Sequence, residues 1–268
     1  MSKFPICVVI YLTDYCNTRC KHCFLTQTDS FNKNIIDFNI LKELLITLKN
    51  NNVFMIAYTG GDPMLHPQIL EILKLTSELG MLPLLGISGT NMNDEMSKKI
   101  YESGVRCVQL GLNGSTAKLN DLYRGKGNYK EILNTIKHLQ SNNINVNIAF
   151  CLDKNNLFDL ENMLTMAYKK KIYKVKIEFW NCINPSDERR KKELSRDERK
   201  TVGKICEDYM IKIKQNDWIQ YPKSNKKLSN IHSKAIIIMP NGDVKNNEMS
   251  ESLGNIYKED IGKIMEDV

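Results

Sequence analysis

The sequence predicts an α/β fold, a partial (β/α)6 TIM-like barrel that ends in a short C-terminal β-hairpin plus helix extension. Three observations predict it. Apolar, β-rich runs alternate with helical periods six times, the order that builds a parallel sheet with crossover helices. The chemically distinctive motifs fall in loops that follow strands, on the face where parallel barrels assemble their sites. The alternation then stops near residue 186, which divides the 268-residue chain into a barrel over residues 1–186 and an extension over residues 187–268. Six units instead of eight leave a barrel laterally open, wide enough to admit a large substrate.

Strands are expected at residues 7–12, 53–59, 82–87, 107–112, 145–151 and 175–179. Between them, Asp37 is placed to cap a helix whose Leu41, Leu44, Leu45 and Leu48 follow the i, i+3, i+4, i+7 spacing. Ile69, Ile72 and Leu73 mark a second helix, and Asp94 opens a third that ends near Gly104. Ile132, Leu133, Ile136 and Leu139 mark a fourth, and Leu160, Met163, Leu164 and Ala167 a fifth. Beyond residue 186 a charged helix is expected over residues 196–215, then an apolar run over residues 235–239. The turn Pro240-Asn241-Gly242-Asp243 signals a hairpin. Leu253-Gly254-Asn255-Ile256 and a final helix reaching Val268 close the chain.

Composition is that of a globular protein, 42% hydrophobic and 26% charged. No stretch approaches the roughly 18 apolar residues of a membrane helix, and the N-terminus lacks a secretory signal. A cytoplasmic protein with no membrane partner is therefore expected, and its eight cysteines are expected as reduced thiols. The net charge of +7 gathers in basic runs, but no aromatic residues interleave with them as a base-stacking platform needs, so nucleic acid is not the expected partner.

The decisive motif is Cys16-Asn17-Thr18-Arg19-Cys20-Lys21-His22-Cys23-Phe24. Thiolates select zinc or iron–sulfur, and a structural zinc or fully ligated cluster wants four ligands. Three thiolates on a four-iron cluster leave one iron open, and an open position is where a metal does chemistry. A zinc knuckle with His22 as fourth ligand is the competing reading, disfavoured because His22 adjoins Cys23 and neighbours rarely reach one ion together. The second motif, Gly60-Gly61-Asp62-Pro63, ends the second strand. Its glycines permit close backbone approach, and a strand edge there offers unpaired N–H and C=O groups.

The C-x3-C-x2-C spacing followed by an aromatic resembles the signature of the radical S-adenosylmethionine (SAM) superfamily. Gly60, Gly61, Asp62 and Pro63 resemble its GGEP motif, which receives the methionyl amino group of SAM, with Asp62 in place of Glu. The resemblance implies one 4Fe-4S cluster on Cys16, Cys20 and Cys23, with SAM as second cofactor and an electron donor such as flavodoxin or ferredoxin. One electron from the cluster cleaves SAM, and the resulting 5′-deoxyadenosyl radical takes a hydrogen atom from substrate; the cofactor carries that chemistry. Phe24 resembles the aromatic near the adenine. Gly111-Leu112-Asn113-Gly114 resembles the family's S-L-D-G, with Gly111 where a SAM-contacting Ser is usual and Asn113 replacing Asp. Arg124, in Tyr123-Arg124-Gly125, resembles the Arg that faces the SAM carboxylate, a role suited to a guanidinium fork. Ser88 and Asn156 resemble polar SAM neighbours after the third and fifth strands.

The tail resembles the SPASM or twitch extension of peptide-modifying members, in shape only. Lys245, Asn246, Asn247 and Glu248 stand where that extension places cluster cysteines, and no second C-x-x-C exists. Cys182, just past the sixth strand, is the first candidate to return a hydrogen atom to a substrate radical, as some epimerases of the superfamily do; Cys151 is the second. The bland alternative is that a free Cys is a small buried hydrophobe, which is the reading for Cys7 and Cys107. The leading expectation is an enzyme that modifies a ribosomally made peptide, epimerisation included. A carbohydrate or aminoglycoside epimerase or dehydrogenase, acting on a small molecule, is the enzymatic rival. A non-catalytic metal- or cluster-binding module is the rival of another class, and Gly60 to Pro63 argue against it.

Overall fold

A computed structural model describes residues 4–25, 34–182, 187–222, 236–248 and 250–266. Six parallel strands run in chain order across the sheet: β1 (Cys7–Thr13), β2 (Met55–Gly60), β3 (Leu82–Ile87), β4 (Cys107–Gly111), β5 (Asn145–Leu152) and β6 (Lys174–Phe179). Helices α1 (Phe38–Asn50), α2 (Ile69–Glu78), α3 (Asp94–Glu102), α4 (Ala117–Arg124), α5 (Asn128–Ser141) and α6 (Leu160–Lys169) lie between them. Side chains alternate across a strand, and here the two faces differ. Along β5, Val146, Ile148, Phe150 and Leu152 are buried in one core with helix residues such as Leu45, Ile136 and Leu164. Asn147, Ala149 and Cys151, on the opposite face, are only half-buried. That second face is the concave side of the partial barrel.

Helix ends are set locally. Asp37 accepts from the N–H groups of Asn39 and Ile40 at 2.9 and 3.1 Å, the cap the sequence implies. Helix α7 (Arg196–Ile213) starts on a capping box between Ser195 and Glu198. It ends two residues before the expected limit. Helix α4 was not expected: its buried residues are Asn120 and Tyr123, which leave no apolar stripe to read.

The extension joins the barrel sheet. Strand β7 (Ile219–Gln220) pairs parallel with β6, and β8 (Ile236–Ile238) pairs parallel with β1, Val8 opposite Ile236. The expected hairpin follows: β9 (Asp243–Lys245) runs antiparallel to β8, and β10 (Gly254–Asn255) antiparallel to β9. Among the described residues this gives one ten-stranded sheet, in the order β10-β9-β8-β1-β2-β3-β4-β5-β6-β7. Ile236, Ile237 and Ile238 are all buried, so each contributes about 1.5–3 kcal/mol to holding the tail on the β1 edge. The final helix, α8, is a single turn at Ile261–Ile264; Ala235 and Val268, the outer limits expected for the apolar run and the last helix, lie outside the described residues. No described helix is long and apolar enough to cross a membrane.

Candidate active site at the carboxyl ends of the strands

The cysteine loop leaves β1 at Thr13 and lies directly over the end of β2. Gly61 N–H donates to the Thr13 carbonyl at 2.7 Å and Asp62 N–H to the Tyr15 carbonyl at 2.9 Å. A Cβ on Gly61 would collide with the Tyr15 carbonyl, and Gly60, at φ +131°, occupies backbone space that other residues avoid. The glycines are therefore demanded by the cysteine loop itself. This differs from the expected free strand edge, because the N–H groups of Gly61 and Asp62 are already paired. Within the loop, the Thr18 hydroxyl stands 3.0 Å from Cys16 Sγ and 3.7 Å from Cys20 Sγ. Cys23 N–H donates to the Cys20 carbonyl at 3.1 Å. Cys16 and Cys20 are buried and Cys23 half-buried. Phe24, half-buried, opens the helical turn after them.

Asp62 is 2% exposed and caps the short turn Pro63–Leu65 through Met64 N–H at 3.1 Å, with Pro63 buried beneath. Its other carboxylate oxygen accepts from the Ser88 hydroxyl. Ser88 in turn meets Thr90 Oγ1 at 3.0 Å, which accepts from Asn17 at 3.1 Å. A chain of polar contacts thus links the ends of β2 and β3 to the cysteine loop. Burial pushes the Asp62 carboxyl up, while Ser88, Met64 and Arg124 pull it back toward the ionised form.

Arg124 ends α4, and its guanidinium lies over Gly111, where any Cβ would strike it. Glycine at this position makes room for the arginine. Arg124 donates to Asn113 Oδ1 at 3.1 Å, and its Nε has no partner although buried. Asn113 and Asn156 are both fully buried rather than at the mouth. Their amides converge on one acceptor, the Cys151 carbonyl, at 3.2 and 2.9 Å. Asn156 Oδ1 also accepts from Asp153 N–H at 2.9 Å. These two asparagines fix the end of β5. Cys151 stands on the concave face with Glu178 opposite it on β6. Burial, with the charges of Glu178 and Asp153, pushes its thiol well up, so it stays S–H. Cys182 lies beyond β6, its N–H donating to Glu193 at 2.8 Å and its thiol beside the Asp187 carboxylate.

Further residues line the site, His22 and Tyr123 from within the two motifs and Asp153 and Trp180 from outside any motif. His22, Tyr123, Asp153 and Trp180 line a cavity of about 330 Å³ beside the cysteine loop. The His22 ring is 6.1 Å from that of Tyr123, which donates to Asp153 at 2.7 Å. Burial, aided by Arg124, lowers His22 to about 3 and keeps it neutral. Among the described residues, four buried side-chain polar atoms lack a partner: His22 Nδ1, Arg124 Nε, Trp180 Nε1 and Asn147 Oδ1. The first and third border the cavity, Arg124 follows its wall residue Tyr123, and Asn147 is on the concave face of β5. Buried polar groups are normally satisfied, so the three beside the cysteine loop, on His22, Arg124 and Trp180, mark space for a polar ligand, whereas Asn147 lies toward the opposite end of β5. On the far side of the concave face, Tyr11 donates to Glu248 at 3.0 Å. Glu178 pairs with Lys176 at 2.7 Å. Inward alternation along β1 and β6 was the available signal for Tyr11 and Glu178; Glu248 was marked only as a position where the resembling extension has cluster cysteines, not as a partner of Tyr11.

The sequence pattern of the Radical SAM superfamily matches residues 10–167. Fe-coproporphyrin III synthase of Methanosarcina barkeri is 29% identical over 175 residues, covering 65% of this chain and 43% of that protein. Mycofactocin maturase MftC of Mycobacterium tuberculosis is 24% identical over 164 residues, covering 61% and 42%. The chain thus spans less than half the length of these curated relatives. Among solved structures, Streptococcus suis SuiB bound to S-adenosylmethionine superposes with a TM-score of 0.83 at 17% identity, over 98% of this chain and 65% of that one. The anSMEcpe structure with bound AdoMet and a peptide superposes at 0.77 and 16% identity, over 97% and 80%. At such identities the likeness establishes the fold, a partial barrel. The sequence match over more than half of the chain establishes the lineage: this protein belongs to the radical SAM superfamily.

Proposed function

We propose that this radical SAM enzyme modifies a C–H bond of a ribosomally made peptide and returns a hydrogen atom to it from Cys151, which makes the reaction an epimerisation. The superfamily's cofactors are a 4Fe-4S cluster and SAM. The residues present fit them: three thiols in one loop, a buried acceptor at Asp62, an unpartnered donor on Arg124, and another on Trp180 at the wall of the cavity beside the loop. When bound, cluster and SAM together supply the one-electron chemistry that removes a substrate hydrogen atom.

The chain's own residues then have separable tasks. Cys16, Cys20 and Cys23 would hold the cluster. Asp62, kept in place by Ser88, would accept from the SAM amino group, and Arg124 would face its carboxylate. The single observation that carries the epimerase reading is the placement of Cys151. Its carbonyl is clamped by two buried amides, its side chain faces the concave surface, and its surroundings preserve the S–H bond that hydrogen return requires. Return of the atom leaves sulfur one hydrogen short, and one electron with one proton restores the thiol, the electron coming from a flavodoxin- or ferredoxin-type donor. Cys182 is held by Glu193 and Asp187 instead, which ranks it second. The peptide reading draws on SuiB, solved with a precursor peptide, and on the maturase MftC.

The test is to search the adjacent genes for a short precursor peptide and to turn that peptide over in deuterated water. The expected product carries one deuterium and an inverted centre. Cys151→Ala should cleave SAM yet deliver no deuterium, while Cys182→Ala should deliver it. A loss of two mass units, or undiminished labelling by Cys151→Ala, would overturn the proposal.

A further inference from the structure

A groove of about 990 Å³ lies outside the barrel between α4 and α6, away from the concave face. Leu119, Leu122, Phe158 and Met166 give it an apolar lining, with Leu122 55% and Phe158 74% exposed. Exposed apolar side chains that cluster on one groove, unlike scattered ones, mark an interaction surface. Lys118, Lys169 and Lys170 also line it, and none forms an ion pair with a described carboxylate. The one acidic residue of the lining, Asp159, is turned inward. Both its oxygens accept from Ser115, N–H and hydroxyl, at 2.6 Å. The groove therefore offers an apolar floor under a rim of three lysines that form no ion pair among the described residues.

Its position ties it to the site. The α4 wall begins just after β4 and ends at Arg124, and Leu122 lines both this groove and the cavity beside the cysteine loop. A chain lying along α4 would reach the mouth of the barrel within a few residues.

We propose that this groove docks an acidic, apolar-anchored segment of the peptide substrate, outside the stretch that is chemically modified. The proposal rests on the peptide reading above. Two apolar anchors would sit against Leu122 and Phe158, and carboxylates on either side would meet Lys118, Lys169 and Lys170. Apolar anchors supply most of such affinity, while rim charges set partner choice and on-rate. Docking outside the reactive site lets the enzyme hold many reactive sequences near Cys151 by one shared segment, since linkage raises the local concentration of the tethered stretch.

The experiment uses the full chain, anaerobically reconstituted, and a fluorescein-labelled amphipathic peptide of about 12 residues with Leu or Phe at i, i+4 and i+7 and Glu elsewhere. A twin with Lys for every Glu is the control. Anisotropy should show binding of the acidic probe that weakens with salt, and little binding of the twin. Lys118→Glu/Lys169→Glu/Lys170→Glu and, separately, Phe158→Ser should each weaken the acidic probe about tenfold or more, with substrate-free SAM cleavage unchanged. Equal binding of the two probes, or binding indifferent to both variants, overturns the proposal. So does a concentration-dependent dimer that Phe158→Ser abolishes, which would assign the groove to a second copy. If a precursor peptide is epimerised with the same KM by the wild type and the groove variants, the docking proposal falls and the peptide reading stands. If the acidic probe behaves as expected while no peptide is modified, the peptide reading falls and the groove remains an acidic-peptide site.

Discussion

Gly61→Ala tests whether the Gly-Gly step is a packing requirement of the cysteine loop. An added Cβ at Gly61 would lie 2.9 Å from the Asp14 carbonyl carbon and closer still to the Tyr15 carbonyl. Both obstacles are backbone, so no side chain can swing aside. Overpacking costs about 1–3 kcal/mol in general, and a backbone obstacle places this case near the upper limit. For a domain of this size each kcal/mol moves the Tm by about 2–4 °C, so a fall of about 6–12 °C is expected. Relief of the clash must push residues 14–15 away from β2, and Cys16 follows directly, so iron content after reconstitution should fall too. Gly203→Ala is the matched control: it lies inside α7, and its added Cβ would meet only the Tyr221 ring, at 3.4 Å. There alanine should raise stability by about 0.5–1 kcal/mol, because only the helix penalty of glycine is removed. Scanning calorimetry and iron analysis of both variants decide the matter. A Gly61→Ala protein with the wild-type Tm and full iron would refute the packing argument.

Replacing Cys16, Cys20 and Cys23 together with Ala should abolish the visible absorption of the cluster and SAM cleavage; retained cleavage would contradict the ligand assignment. Arg124→Ala should weaken SAM binding about 10–100-fold at unchanged iron content, the loss of a charge-assisted contact, read by equilibrium dialysis. Gly111→Ser should copy that defect, because the new side chain occupies the guanidinium's position; normal SAM affinity in Gly111→Ser would show that the arginine acts from elsewhere. Burial raises the Tyr58 phenol far above its usual value of about 10. Its contribution to stability is therefore complete below pH 10 and is lost as pH rises toward the folded-state value. Tyr58→Phe should lose about 1 kcal/mol at neutral pH with the Thr76 hydrogen bond and flatten the alkaline decline, measured by urea unfolding from pH 8 to 11.

What could be read from the chain is what local chemistry encodes. The six barrel strands follow from β-rich runs of the right length, and α1 from a leucine stripe behind Asp37. The cysteine loop and the Gly-Gly-Asp-Pro turn are contiguous, so their spacing was visible. Helix α4 was not, because it is anchored by Asn120 and Tyr123 through polar contacts that only the fold supplies. The pairing of β8 with β1 was also hidden: Ile236 and Val8 are 228 residues apart, and the hairpin signal at Asn241-Gly242 says nothing of which edge receives it. Asn113 and Asn156 were legible as polar residues at strand ends, but not as buried braces. Their shared partner is the carbonyl oxygen of Cys151, which no sequence pattern reports.

That bracing has a mechanical consequence for the proposed reaction. Arg124 donates to Asn113, and Asn113 and Asn156 both hold the Cys151 carbonyl. The group proposed to face SAM and the thiol proposed to face substrate are thus joined through two hydrogen bonds and share the ends of β4 and β5. Hydrogen return must follow hydrogen removal at one carbon, from opposite sides, so the two groups need a fixed separation more than either needs an optimal position of its own. A buried amide lattice supplies that, since each donor it contains would be left unsatisfied by any drift. The opposite wall is held differently. Glu248, from the tail, reaches Tyr11 on β1 by a single hydrogen bond, and the tail is seated by three buried isoleucines. The β4–β5 side therefore ties the two proposed groups to each other, while β1 carries the cysteine loop at its end and the tail along its edge, so substrate-dependent variation on that side is confined to the tail.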